Sequence, residues 1–554
     1  MRNLCLRILC MTLCLLLAAS AALADSYDVA IYQPETAIAS APIIMQRVNG
    51  AHGTFAGEAV RPSAVIADVR LDAQGVLTVY DGEAALGTLD SVYQAQAGQV
   101  NFGVRISDAE TAAALKDWVK QNDMSNLWLI AADPALIVTV REANELVRGV
   151  VDITAGVPDM RTLYDAVYGN SVRSVLISMA DASPATVRLL QEFDYMVYVD
   201  ACGAMDTVTA YNLIVSGANG VLTNDAPVML SVLEGFDDYT LTRGGTIVGH
   251  RGEYTYPNNS LPSFIYAAES GAQSVELDTW YTRDGYVVLS HDDNMADTEQ
   301  VAQGERDKRL TISKWESTVS QLTFAGTPYH YITLDQLFEA TADAYPHLIY
   351  RIEIKDYRPK NVNAVMEIIE KYNLRERCQI ICFEDAVSTM ARKNGYATLY
   401  LSAPGNFTGY KDLPGAARKL EGIYRPLNSW YSSTWSNIDA NVMEYMQHYG
   451  LAIQPWPTSL ENDLHGHFIE GYNGMTTDYC HWANDYVKYI EASMADGQLS
   501  VTGHLYDGTT KDLTAWAEPV EVAEGVMAAR VRITLPTNYP QKWYYVYSQT
   551  ITAE

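Results

Sequence analysis

The strongest constraint on this chain is that its two halves carry the same pattern. Residues 25–240 and 245–495 share five anchors in the same order. Val65-Ile66-Ala67-Asp68 followed by Gly75 returns as Val275-Glu276-Leu277-Asp278 followed by Gly285, with the same seven-residue step from Asp to Gly. Val79-Tyr80-Asp81 falls one residue short of Ser290-His291-Asp292, and Thr88-Leu89-Asp90 returns as Thr333-Leu334-Asp335. Phe102–Asp108 answers Tyr350–Asp356, and Gly217–Asn224 answers Gly471–Asp478. A period of this length means two copies of one architecture. The second copy alternates strand and helix patterns over about 250 residues, the usual size of a (β/α)8 barrel. The first is expected to be a shorter or degenerate barrel of the same kind.

The chemistry concentrates in 247–292. Ile247-Val248 and Val287-Val288-Leu289 read as short buried strands, with a helical pattern at 261–270 after the first. His250, Arg251, Glu276, Asp278 and His291 fall where apolar runs meet turns. In parallel α/β folds such strand ends carry the active site. Glu276 and Asp278, two residues apart on a strand, point to one face. Burying two neighbouring carboxylates requires a proton or a cation between them, and a hard divalent ion held by oxygens is the simplest solution.

These residues resemble the glycerophosphodiester phosphodiesterase family. The resemblance rests on His250-Arg251-Gly252, Pro257-Asn258-Asn259-Ser260, Gly271-Ala272, Glu276-Leu277-Asp278, Thr282-Arg283-Asp284-Gly285 and His291-Asp292. Asn258 stands where the family usually has Glu. Further on, Arg351-Ile352-Glu353-Ile354-Lys355 looks like the family's Glu-x-Lys strand, Cys382-Phe383-Glu384 like its Ser-Phe-Asp, and Gly450–Thr458 like its Gly-(5)-Trp-Thr strand. The resemblance implies a (β/α)8 catalytic domain at 245–495 and metal-assisted hydrolysis of a small phosphodiester to glycerol 3-phosphate and an alcohol. Glu353 then completes a Ca2+ or Mg2+ set with Glu276 and Asp278. Arg251 and Lys355 approach the phosphate, Trp456 offers an apolar wall, and His250 and His291 share the acid and base roles. Lysophospholipids or glycerol-phosphate polymers remain alternative substrates, with a cell-envelope or lipid surface open as a partner. Non-catalytic phosphodiester binding is the rival reading. The sequence carries no statement of oligomeric state.

In the first half Ile66 corresponds to Glu276, Tyr80 to His291, Arg105 to Glu353 and Ser107 to Lys355, and no His-Arg-Gly counterpart is found. Residues 25–240 therefore read as a catalytically incomplete partner domain; a site holding an anion through Arg105 is the alternative.

Residues 1–24 read as a secretory signal, with Arg2 and Arg7 ahead of the apolar Met11–Leu17 and Ala22-Leu23-Ala24 at the cleavage site. The expected product is exported. Losing Arg2 and Arg7 takes the formal charge from −29 to −31. So acidic a surface excludes nucleic acid as a partner and makes a phosphate site depend on local cations. Of the four cysteines beyond the signal, Cys378 and Cys382 share a strand, roughly 13 Å apart at strand rise, too far to bridge. They read as core residues. Residues 293–330 read as a lid, and His465, His467 and His481 as surface residues. Residues 497–554 alternate with period two and predict a small antiparallel β appendage, its aromatics packed on the barrel.

Overall fold

The computed structural model describes residues 27, 29, 36, 38–51, 55, 60–296, 298, 306–402 and 405–551. The signal-like 1–24 lies outside them.

The first half is a complete barrel. Eight parallel strands (Ile43–Arg47, Ala64–Leu71, Asn101–Arg105, Leu127–Ala131, Arg148–Asp152, Ser174–Ser178, Met196–Ala201 and Gly220–Thr223) form one sheet. Ile43–Arg47 pairs with both the last strand and Ala64–Leu71, which closes it. Strand ends lead into helices through side-chain caps: Asp108, Asp133, Asp159, Ser183, Asp206 and Asp225 each accept from a first-turn N–H. The expectation of a shortened or degenerate barrel is thus corrected. The strands persist because alternate residues still fill the inside (Met45, Ile66, Leu176) and the outside (Ile44, Val65, Val175). What has changed is the chemistry at their ends.

In the second half the parallel order is Ser429–Tyr431, Ala397–Tyr400, Cys378–Cys382, Ile349–Ile354, Ser274–Tyr281, Thr246–Gly249, Gly474–Thr477. The expected eighth strand is present only as isolated parallel bridges, Tyr431 to Ile453, Thr434 to Trp456 and Thr458 to Thr477. Pro455 and Pro457 remove two of its N–H donors, so a regular ladder cannot form there. The bridges nevertheless join both edges of the seven-strand sheet.

The repeat holds in register. The antiparallel hairpin pairing Asp68 with Tyr80 and Leu71 with Leu77 reappears where Tyr281 pairs with Val287, at a constant offset of 210 residues. Thr88 and Thr333 cap equivalent helices. Between hairpin and helix the second half inserts 293–330, whose described Met295, Leu310, Trp315, Val319 and Leu322 form an apolar cluster with the flanking Val288 and Tyr331.

The two barrels meet through the amino-terminal ends of their strands, and each plugs the other. The turn at Asp194 (φ +62°) enters the foot of the second barrel, where Trp430 Nε1 donates to its carbonyl at 3.0 Å. The equivalent turn at His448-Tyr449-Gly450 enters the first, against Trp128 and Tyr198. Arg173 donates to the Asn428 and Thr398 carbonyls across the seam. One apolar cluster runs from Met45, Trp128 and Tyr198 to Ile247, Tyr350 and Trp430. The carboxyl ends of both sets of strands therefore face away from the interface.

The C-terminal region is antiparallel as expected, but it begins earlier, at Val487–Ala495. Its second sheet, Ala517–Ala523, Val526–Thr534 and Trp543–Tyr547, continues into Thr240–Leu241 and Ile38–Ala39. Tyr544, Val531 and Val546 are buried in the main core, so the region is tied to the connection between the halves.

Candidate active site

At the carboxyl end of Thr246–Gly249 the chain turns sharply through Arg251 (φ +55°) and Gly252 (φ +90°). A Cβ on Gly252 would sit 2.1 Å from Ser263 Oγ, so only glycine lets the turn close. The turn points the Arg251 N–H at Glu276 Oε2, 3.0 Å away, and the His250 N–H at the Thr477 carbonyl, 2.8 Å. Next to it, Asp278 pairs in register with Glu353 across adjacent parallel strands.

The carboxylates of Glu276, Asp278 and Glu353 converge, each offering an oxygen within 4.8 Å of the others. All three are buried. Lys355 Nζ lies 2.8 Å from Glu353 Oε1 and 3.2 Å from Asp278 Oδ1, and Arg251 Nε lies 3.4 Å from Asp278 Oδ2. Glu353 Oε1 and Asp278 Oδ1 are buried oxygens that share the single Lys355 ammonium. Three buried carboxylates that each bring an oxygen to one place fit a hard cation, and the triad could hold one.

Electrostatics divide the three. Burial, then the charges of Asp278 and Glu353, push Glu276 well above the usual carboxylate range. Burial and Asp278 raise Glu353 to about 7. Asp278 is also buried, but Lys355, Arg251 and the Asn259 amide (Nδ2 to Oδ2, 2.8 Å) hold it low. Burial works against the Lys355 ammonium, yet Asp278 and Glu353 raise its pKa overall.

His250 Nδ1 and Asp478 Oδ1 are 2.6 Å apart, which leaves Nε2 for the cleft. Burial raises the Asp478 carboxyl, but hydrogen bonds from His250 and Ser459 bring it below its ordinary value. His291, part-exposed, has Asp292 Oδ1 3.1 Å from Nδ1. Burial lowers its pKa, Asp278 opposes, and the Arg251 and Lys355 cations add to the lowering.

One cavity of about 110 Å3 is lined by His250, Arg251, Glu276, His291, Glu353, Lys355 and Trp456, with Asp278 just behind. The opposite wall is apolar: Ile381, Phe383, Leu399, Leu401 and Trp456, whose indole meets Phe383 edge-on at 5.7 Å. The structure thus gathers every residue singled out in the sequence. Three more were missed. Asp478 closes the repeated Thr-Asp strand end, a signal that was legible. Asn259 lies in the Pro257–Ser260 turn, and Phe383 in the Cys-Phe-Glu string. The histidine reading is corrected for His465, fully buried beside the Tyr486 hydroxyl, and for His467, mostly buried; His481 keeps a part-exposed position and pairs with buried Glu253 at 3.0 Å. Helix Glu461–Ile469 turns Leu464, His465 and Phe468 inward together.

The same level of the first barrel is occupied differently. Register places Arg47 at the position of His250, since Gln46 pairs with Thr223 as Gly249 pairs with Thr477. The 210-residue offset puts Asp81, not Tyr80, opposite His291, and Tyr80 opposite Ser290, which corrects the alignment by one. Arg47 pairs with Asp68, and Arg105 with both Asp152 and Asp200. Guanidinium groups stand where the second barrel gathers carboxylates.

Fold and site together define an α/β-barrel hydrolase with an acidic, metal-competent centre flanked by two imidazoles. Residues 250–398 match the model of the glycerophosphoryl diester phosphodiesterase family. A glycerophosphodiester phosphodiesterase of Caldanaerobacter subterraneus subsp. tengcongensis is 27% identical over 242 residues, 42% of this chain and 93% of that protein. Among solved structures, the glycerophosphodiester phosphodiesterase of Thermotoga maritima is 22% identical, covering 43% of this chain and 96% of its own, with a TM-score of 0.31. An Oleispira antarctica phosphodiesterase, solved with the product sn-glycerol-3-phosphate, is 17% identical over 43% of this chain and 94% of its own, with a TM-score of 0.36.

Proposed function

We propose that this chain is an exported, metal-dependent phosphodiesterase that cleaves glycerophosphodiesters to glycerol 3-phosphate and an alcohol. The observation that carries the reading is the convergence of three buried carboxylates at strand ends shared with Arg251, Lys355 and the His250–Asp478 pair. Glu276, Asp278 and Glu353 would hold Ca2+ or Mg2+, which when bound offsets the charge of the phosphate oxygens. Arg251 and Lys355 supply the remaining positive charge from the chain itself. Asp478 fixes the His250 tautomer and would stabilise its charged form. One of His250 and His291 takes the proton of the attacking hydroxyl or water, and the other protonates the departing alcohol. Trp456 and Phe383 offer that alcohol, or the glycerol, an apolar face. Export rests on 1–24; among the described residues no helix is long and apolar enough to cross a membrane.

The apolar wall favours a second reading in which the diester carries an acyl chain, as in lysophospholipids. A panel of glycerophosphocholine, lysophosphatidylcholine and a glycerol-phosphate polymer, assayed for released alcohol with and without chelator, separates these readings. Chelator-sensitive release of choline from the first supports the main one. Binding without turnover of any member contradicts both.

In the first barrel, Arg47 and Arg105 are already engaged by Asp68, Asp152 and Asp200, and this balance leaves no net positive charge for an anion. A supporting role for that domain follows.

A further inference from the structure

Among the described residues, Arg351 is a cation that the second barrel places inside itself but ties away from the strand ends. It sits two residues before Glu353 on the inward face and is the direct cross-strand partner of Glu276. It also lines the same cavity as Glu276 and Glu353. Adjacent strands are only about 4.8 Å apart, so an arginine there could lie along Glu276. It does not. Among the described residues its ion-pair partner is Asp194 of the first barrel, with Nη2 3.0 Å from Oδ2, and the two side chains are 3% and 1% exposed. Two glutamines complete the grip. Gln454 Oε1 accepts from Arg351 Nη1 at 3.0 Å, while Gln454 Nε2 donates to Asp194 Oδ1 at 2.7 Å. Gln379 Nε2 donates to Asp194 Oδ2.

The pseudo-symmetry supplies a control. The position equivalent to Arg351 in the first barrel is Gly103, paired with Ile66 as Arg351 pairs with Glu276. The turn that plugs that barrel carries Gly450 (φ +64°) where the other carries Asp194 (φ +62°), since Ile453 N–H donates to Asn473 Oδ1 as Val197 N–H donates to Asn219 Oδ1. A carboxylate appears in the plug only where an arginine must be answered.

We propose that Asp194 is a positioning residue for the metal site of the opposite barrel: it anchors Arg351 at the barrel foot and so keeps a guanidinium away from Glu276. The inference rests on the metal reading of the triad. Without the Asp194 charge, a buried unpaired guanidinium would turn to the nearest carboxylates, Glu276 and Glu353, and compete with a divalent cation for their oxygens.

Calcium alone, titrated calorimetrically into the chelator-stripped full chain, tests this. Asp194→Asn keeps the shape and is expected to weaken Ca2+ binding about 10-fold or more, the range seen for groups that orient metal ligands. Turnover at saturating Ca2+ should change far less. Asp194→Asn with Arg351→Gln should restore native affinity, a rescue that a merely structural role would not give. Native Ca2+ affinity in a folded Asp194→Asn chain overturns the proposal. If that chain does not fold, Arg351→Gln alone decides: affinity at or above native supports the proposal, and weaker affinity overturns it. A native chain that binds neither Ca2+ nor Mg2+, or a Glu276→Gln chain that binds as tightly as native, defeats the metal reading itself and with it this inference.

Discussion

At the scale of single residues, the site separates charges that would otherwise cancel. Asp278 is held ionised by Lys355, Arg251 and Asn259, while Glu276 and Glu353 are pushed toward their neutral forms. The two histidines are held differently. His250 is locked by the part-buried Asp478, whereas His291 is part-exposed and pairs with the exposed Asp292. His291→Ala is expected to lower kcat at least about 10²-fold with little change in KM, as for loss of one acid or base. A loss confined to KM would make His291 a phosphate contact. His250, Arg251, Glu276, Asp278 and His291 are legible because 42 residues of sequence, 250–291, hold them all. Asp478 was not recognised as a partner because it lies 228 residues from His250 and becomes its neighbour only through the pairing of Thr246–Gly249 with Gly474–Thr477.

At the scale of elements, the turn after Thr246–Gly249 governs the geometry, since its N–H groups aim at Glu276 and Thr477. Gly252→Ala must place a methyl against Ser263 in a left-handed backbone, and is expected to cost more than ~1 kcal/mol of stability. Turnover should fall as the Arg251–Glu276 contact shifts. An unchanged denaturant midpoint would mean that the turn relaxes freely. The hairpin and helix starts of both halves could be read from sequence because Asp, Gly and Thr mark them at fixed steps. The counterpart of His-Arg-Gly could not, because Arg47-Val48-Asn49 shares no residue with it at equivalent positions and only strand register identifies it. The eighth strand of the second barrel was expected to be regular, and Pro455 and Pro457 explain why it is not.

At the scale of the molecule, two barrels joined foot to foot leave one mouth with the carboxylate triad and one, a cavity of about 520 Å3, whose arginines are engaged by aspartates. The seam is sensitive to acid. His448, partly buried with Ser63 Oγ 2.7 Å from Nδ1, has its pKa lowered by burial to about 4 from an ordinary 6.5. Its folded value lies below its unfolded one. Its contribution is therefore complete above about pH 6.5 and is lost as pH falls toward 4, by at most roughly 1.4 kcal/mol per pH unit. Against His448→Gln, the native chain should lose unfolding free energy over that window; parallel curves would show that His448 stays solvated. None of this interface was visible in the sequence, because Asp194, Arg351 and His448 meet only once both barrels have formed. The central claim is that a metal bound to the second barrel's triad drives the chemistry. It is tested by the rate of glycerol 3-phosphate release from glycerophosphocholine as Ca2+ or Mg2+ is returned to the chelator-stripped chain, with Glu276→Gln and Arg105→Ala alongside. The account predicts saturable recovery at one ion per chain for the native and Arg105→Ala proteins, and no recovery for a folded Glu276→Gln. Full activity in the stripped native chain, or in Glu276→Gln, would contradict it.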